Sequence, residues 1–218
     1  EKMSTVFIDS KSDDVFINNG LNSFYVYSKN GKYKECIKNS FPAGDFIKFN
    51  DDFLVFIGYN NGYSDEQLLK TDNDFNVKNK YLPIKTGAIH VTDSNNFSFS
   101  DNSVYMKESF VNTIYRINSD QIQSYCSFDF QEYNVDKKYF HTDDPFAAFM
   151  DLNNKGFAVI YNYIKNKKTE FVEVNMQTKD GGNRVFGVKS KDKWTWINTN
   201  LKAKSNMFSG VFHQLSSE

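Results

Sequence analysis

The stretch NTIYRINSDQIQSYCSFDF (Asn112–Phe130) holds a short apolar run, a polar break and a second run in strict alternation. From Gln121 onward, Ile122, Ser124, Cys126, Phe128 and Phe130 fall on one side of an extended chain. Gln121, Gln123, Tyr125, Ser127 and Asp129 fall on the other. A period of two marks a strand and the NSDQ break marks a turn, so the stretch predicts an antiparallel hairpin.

The same shape recurs along the chain. SFYVYSKNGKYKECIKN (Ser23–Asn39) carries the pair Asn30-Gly31, favoured in type I′ turns, where both central residues need positive φ. EQLLKTDNDFNVKNKYL (Glu66–Leu82) breaks at Asp72–Asp74, and TEFVEVNMQTKDGGNRVFGV (Thr169–Val188) breaks at Asp180-Gly181-Gly182. The first apolar runs of these units begin near Phe24, Leu68, Ile114 and Phe171, a spacing of roughly 45 residues that matches propeller blades. Each hairpin follows another: Val6–Asn19, Asp45–Tyr59, Asn96–Ser109 and Phe146–Ile164, the last divided at Asn153–Gly156. Four short strands per unit form a meander, and no helical period competes with it. The expected fold is an all-β propeller of four-stranded antiparallel blades, four to five of them visible.

Composition agrees. Among 218 residues there are 22 Phe and 13 Tyr but only three Pro, a bias toward residues that suit pleated, half-buried surfaces. Net charge is −1, and Arg116 and Arg184 are the only arginines. A near-neutral chain so poor in the residue that reads phosphate and base edges bidentately is not expected to bind nucleic acid. The lysine run Lys165–Lys168 reads as a solvated turn between apolar runs. Cys36 and Cys126 show neither metal spacing nor a disulfide framework and are expected to be buried or idle thiols. No apolar run is long enough to span a membrane, and the opening EKMSTVFID has no signal-peptide core.

VFIDSKSDDVFINNGLNSFYVYSKNGKYKECI (Val6–Ile37) resembles an NHL-type blade. IYRINSDQIQSYCSFDF (Ile114–Phe130) resembles a repeated element of the bacterial six-bladed β-propeller proteins, in which a "t-I-Y-x-I" strand leads through a turn to an alternating strand ending near "D-F". The resemblance spans most of Val6–Val188 and implies export, often with a lipid anchor, but no established activity and hence no catalytic residues to transfer. Four repeats occupy about Thr5–Lys189, and the tail Lys193–Leu215 reads as half of a fifth. The preferred reading of residues 1–218 is one β-propeller domain whose terminal blades lie outside this chain; the other is a ring of fewer blades.

Few residues offer chemistry. His90, His141 and His213 lack the spacing of a zinc site. HTDDP (His141–Pro145) is the densest cluster: His141, Asp143 and Asp144 could hold a hard cation or exchange protons, or they could simply cap a turn. TDNDFN (Thr71–Asn76) imitates the start of a calcium loop, but Val77 and Pro83 stand where that loop needs Gly and Glu, so it reads as a hairpin tip. KWTWIN (Lys193–Asn198) places Trp194 and Trp196 on one strand face, either as a platform for sugar rings or, the favoured reading, as core packing.

No catalytic residue, cofactor or metal is assigned, and the chain is expected to be a non-catalytic binding module of the bacterial envelope. It would engage a glycan, peptide or protein partner through loops at the blade ends, with Trp194, Trp196, His141, Asp143 and Asp144 as candidate contacts. Two alternatives stand beside it. One is a propeller hydrolase or lactonase with a bound metal and channel carboxylates such as Asp9, Asp45, Asp101 and Asp144; the other is an assembly scaffold.

Overall fold

The computed structural model describes residues 5–19, 22–58, 62–84, 95–108, 110–119, 121–140, 144–179, 181–198 and 213–216. The chain divides into two compact units, Glu1–Asn95 and Asn96–Glu218.

In the first unit, β1 (Thr5–Asp9), β2 (Asp14–Asn18), β3 (Ser23–Ser28) and β4 (Tyr33–Lys38) pair in chain order as an antiparallel meander. A second meander follows in the same order: β5 (Asp45–Phe49), β6 (Asp52–Phe56), β7 (Glu66–Thr71) and β8 (Val77–Pro83). Burial explains the sequence of each strand. Phe53, Leu54, Val55 and Phe56 of β6 are all buried, so both faces of that strand are covered and its run is continuously apolar. The edge strand β4 is almost wholly exposed and carries Lys34 and Lys38, charges that discourage further strand pairing.

Aromatic rings close the seam between these blades. Phe24 of β3 stacks on Phe75 with centroids 3.7 Å apart, and Phe75 stacks on Phe53 at 4.7 Å. Phe75 sits in the β7–β8 turn at φ 60°, while the Asp72 carboxylate accepts the backbone N–H groups of Asp74 and Asn76. This is the hairpin tip expected of TDNDFN, with its phenyl ring turned into the core. Polar clips join the blades: the Asn18 side chain donates to Ala43 O at 2.6 Å, and Lys48 pairs with Asp9 at 2.8 Å. At the β3–β4 tip, Gly31 has φ 78° but Asn30 is not left-handed. The turn is closed by Gly31 N–H to Ser28 O and carries a register shift at Val26/Tyr27. That is a turn with a glycine bulge, not the expected type I′ pair.

The second unit holds β9 (Phe97–Ser100), β10 (Ser103–Glu108), β11 (Thr113–Asn118) and β12 (Gln121–Asp129), with β17 (His213–Ser216) added beside β12. Its other sheet runs β13 (Phe157–Lys165), β14 (Thr169–Thr178), β15 (Gly181–Ser190) and β16 (Lys193–Asn198). Cys126, Phe128 and Phe130 are buried as the alternation predicts, in a cluster with Ile160, Val172, Val174 and Val185 of the next blade. Together the meanders are blades of a β-propeller.

Two expectations change in this unit. Pro145–Lys155 is an α-helix, α1, not a strand. Asp144 accepts the N–H groups of Phe146 and Ala147, Pro145 opens the helix, and Gly156 at φ 90° ends it. A Cβ on Gly156 would lie 2.8 Å from Gln177 O, so the helix exit fits closely against β14. Because α1 replaces a strand, every later strand moves up one place. KWTWIN therefore completes the fourth blade as β16 and does not begin a fifth.

Candidate functional site

Of the residues singled out from the sequence, His90, His141 and Asp143 lie outside the described residues, and His213 is described only by the backbone of β17. Asp144 caps α1. Trp194 and Trp196 project from alternate positions of β16, stack on each other at 5.5 Å and 22°, and meet Phe128 edge-on at 5.3 and 6.2 Å. Both are half-buried against the cluster shared by the two blades. Gly187, opposite Trp196 on β15, makes room for the indole: an added Cβ would come 2.7 Å from Trp196 Cζ3 and 2.8 Å from Val172 Cγ1. Gly187→Ala is expected to cost about 1–3 kcal/mol in urea unfolding by overpacking. Trp196→Phe should recover part of that loss, and an additive double mutant would show that the two positions do not compete for space.

The connection from β12 to β13 sets this blade apart. The corresponding link in the first unit, from β4 to β5, is the short segment Asn39–Gly44, whereas Phe130–Gly156 holds two short 3-10 turns and α1. Its base is fastened down. Asn134 accepts Phe130 N–H at 3.0 Å and donates to Asp129, and Tyr139 Oη donates to Asp151 at 2.7 Å. Ala148 and Leu152, four residues apart on α1, face inward. On the opposite side Phe146, Phe149 and Met150 are 74%, 42% and 46% exposed. The largest apolar side chains of the helix thus point to solvent, at the i, i+3, i+4 spacing of a single face.

A polar cluster is buried where the two blades of this unit meet. Glu170 of β14 is 5% exposed and accepts Tyr125 Oη on Oε1 and Tyr163 Oη on Oε2, each at 2.8 Å. Lys189 and Lys165 approach Oε1 at 3.4 and 3.5 Å, and Lys165 also lies over the rings of Tyr105 and Tyr125. Burial alone would raise the Glu170 carboxyl. The hydrogen bonds from Tyr163 and Tyr125 and the charges of Lys189 and Lys165 outweigh it and hold the group below its ordinary 4.5. The Tyr163 phenol is pushed up, first by burial and then by the Glu170 charge, and remains a donor. Cys126 is pushed up to about 12 by burial and then by Glu170, so its thiol stays protonated and unreactive at neutral pH.

Alternation alone placed Tyr125 on the face opposite Cys126. A bulge corrects this: Ile114 pairs with Cys126 and Tyr115 with Ser124, leaving Tyr125 as the extra residue, re-aimed so that its hydroxyl reaches Glu170. The sequence reading therefore missed the whole cluster. The only hint was the lysine run that ends β13.

The family model described as 6-bladed beta-propeller matches residues 2–208. The chain belongs to that family. No curated protein matches it. Among solved structures, the propeller is similar to a Bacteroides fragilis protein named as presumed to be exported, with TM-score 0.71 and 17% identity, over 90% of this chain and 58% of that one. It thus spans less than two thirds of that protein's length. It is also similar to BamB from Moraxella catarrhalis, with TM-score 0.51 and 7% identity, over 99% of this chain and 77% of that one. At these identities the likeness shows the fold.

Within this six-bladed family member, the carboxylates considered for a channel site have local roles. Asp9 accepts the Lys11 N–H, the Ser12 hydroxyl and the Lys48 ammonium; burial opposes its charge, but these partners prevail and lower its pKa. Asp45 accepts the N–H of Phe46, Asp101 accepts the Ser100 hydroxyl in a left-handed turn, and Asp144 caps α1. Among the described residues no group of three His, Cys, Asp or Glu side chains could hold a metal ion.

Proposed function

We propose that this propeller is a non-catalytic binding module of the bacterial envelope that engages a peptide or protein partner through the outward face of α1. Residues 1–218 would contribute to one six-bladed ring. The observation that carries the proposal is the exposure of Phe146, Phe149 and Met150 on a helix held by the Tyr139–Asp151 hydrogen bond and by the burial of Ala148 and Leu152. Leaving a large apolar side chain in water forgoes about 1.5–3 kcal/mol, and a rigid aromatic and methionine face suits an apolar partner surface. A peptide or protein is favoured over a glycan because the two indoles stack on each other and against Phe128. The name of the Bacteroides fragilis relative supports placement in the exported fraction.

A photo-crosslinking amino acid at Phe149, in cells of the source organism, is expected to yield one discrete adduct, whereas the same residue at the exposed turn position Lys29 yields none. Phe146→Ser/Phe149→Ser/Met150→Ser should lose that partner on copurification while keeping the wild-type melting temperature. Absence of a discrete adduct at Phe149 would overturn the proposal.

A further inference from the structure

The far end of the same blade carries a second, chemically different feature. α1 anchors at the Gln177 end of β14, whereas Glu170 lies seven residues away along an extended strand, about 23 Å at about 3.3 Å per residue. There, the β13–β14 and β15–β16 turns border an open-mouthed cavity of about 200 Å³. Glu170 forms its floor, flanked by Lys165 and Lys189, whose side chains are only 15% exposed. Lys167, Lys168 and Lys191 stand at the rim with Asp192. Five ammonium groups thus face two carboxylates, a local charge of +3 in a chain whose net charge is −1.

The floor is already short of negative charge. Both of these half-buried ammonium groups share Glu170 Oε1, and the Tyr125 hydroxyl takes up a further lone pair of that same atom. Each ammonium has three protons to donate, so donor capacity remains at two residues that line the cavity. Among the described residues, the side chains of Lys167, Lys168 and Lys191 make no ion pair. Ligand pockets for drug-sized molecules run to about 300–1,000 Å³, so this cavity admits one compact anionic group while the rest of its bearer stays outside. A surplus of three charges matches a phosphate monoester, which carries about −1.5 to −2 near pH 7, better than a single carboxylate.

We infer that the Glu170 end of the fourth blade is an anion-binding site for a phosphate group, free or as a terminal monoester, held by Lys165 and Lys189 at the floor and gathered by the lysines of the rim. The site is independent of α1. The rim is expected to set affinity through long-range attraction, so binding should weaken as salt is raised.

Calorimetric titration at about 10 mM ionic strength, where the Debye length is about 30 Å, tests this with inorganic phosphate, glucose 1-phosphate, acetate and glucose. Both phosphates are expected to bind at one site, acetate more weakly, and glucose not at all. Lys167→Gln/Lys168→Gln/Lys191→Asn should weaken phosphate binding about tenfold or more. Asn is chosen at 191 because that residue has φ 51°. Asp192→Asn, at φ 62°, should tighten binding. These exposed turn substitutions should leave the melting temperature unchanged. No phosphate binding by the wild type, equal binding of acetate, or indifference to both sets of substitutions would each overturn the site. Vesicles containing phosphatidic acid separate a lipid source from a soluble one: binding to vesicles without binding to either soluble phosphate would overturn the proposal.

Discussion

Glu170→Ala is expected to destabilise the second unit by about 3–5 kcal/mol, the range for removing one partner of a buried charge cluster. The variant leaves the Tyr125 and Tyr163 hydroxyls without an acceptor and Lys165 and Lys189 without their shared counter-charge. Glu170→Gln keeps the shape and an acceptor oxygen and should cost less. Replacing Lys165 and Lys189 by Met together with Glu170→Leu should also cost less than Glu170→Ala, because no unpaired charge is then left in the seam. Both tryptophans lie in this unit, so their fluorescence in urea reports its unfolding directly. A loss of less than about 1 kcal/mol for Glu170→Ala would place the cluster among exposed ion pairs of little worth.

The same carboxylate makes stability depend on pH, with a definite sign. The folded Glu170 has a pKa below its unfolded value of 4.5, so as pH falls the unfolded chain takes up the proton first. Its contribution is complete above that value and drains away as pH drops through the folded pKa. The urea midpoint of the wild type should therefore fall as pH is lowered below the unfolded value and through the folded pKa, and that of Glu170→Gln should fall less. Asp9 and Asp52 of the first unit are also held low, each by lysine partners that outweigh the opposing effect of burial, and Asp151 of the second unit is held low first by the hydrogen bond from Tyr139. The difference between wild type and Glu170→Gln, read by tryptophan, isolates Glu170.

The blades were legible because burial on a meander writes itself as period two. Cys126, Phe128 and Phe130 were placed inward from alternation alone, and they are buried. Central strands buried on both faces read as continuous apolar runs, and lysine-bearing edges read as exposed. What escaped was whatever breaks a period locally. The bulge at Tyr125 turns two adjacent residues toward one seam, which alternation forbids. Pro145–Lys155 has apolar residues at helical spacing, and its flanks, Asp144-Pro145 and Gly156, are a helix start and stop; the expectation of another strand hid them. The lysines of the anion cavity come from two turns separated by all of β14 and β15, so their convergence depends on strand pairing and has no signature in either turn.

The two proposed sites also show why function was harder to read than fold. A propeller fixes its strands and leaves both ends of each blade free to vary. In the fourth blade one end bears an apolar helix and the other a basic cavity, and neither is required by the strands between them. The repeated pattern reports the shared strands. It carries no information about the segments by which this blade differs from its neighbours.

Phe53→Ala should be the most damaging single substitution in the first unit. Phe53 is fully buried on β6 and is the ring on which both blades converge. It meets Phe16 of β2 and Phe7 of β1 edge-on at 5.1 and 6.5 Å, lies tilted against Phe46 of β5 at 6.1 Å, and stacks with Phe75 at 4.7 Å. Truncation to Ala removes the transfer free energy of a phenyl ring and leaves a cavity lined by other rings, which cannot easily collapse into it. Such changes cost about 3–5 kcal/mol. Phe53→Leu retains most of the volume and should cost clearly less, whereas Tyr33→Ala on the exposed edge strand β4 should cost little. Because neither tryptophan lies in this unit, far-UV circular dichroism in urea is the appropriate readout. If Phe53→Ala shifts the transition no further than Tyr33→Ala does, the aromatic seam does not hold the first two blades together.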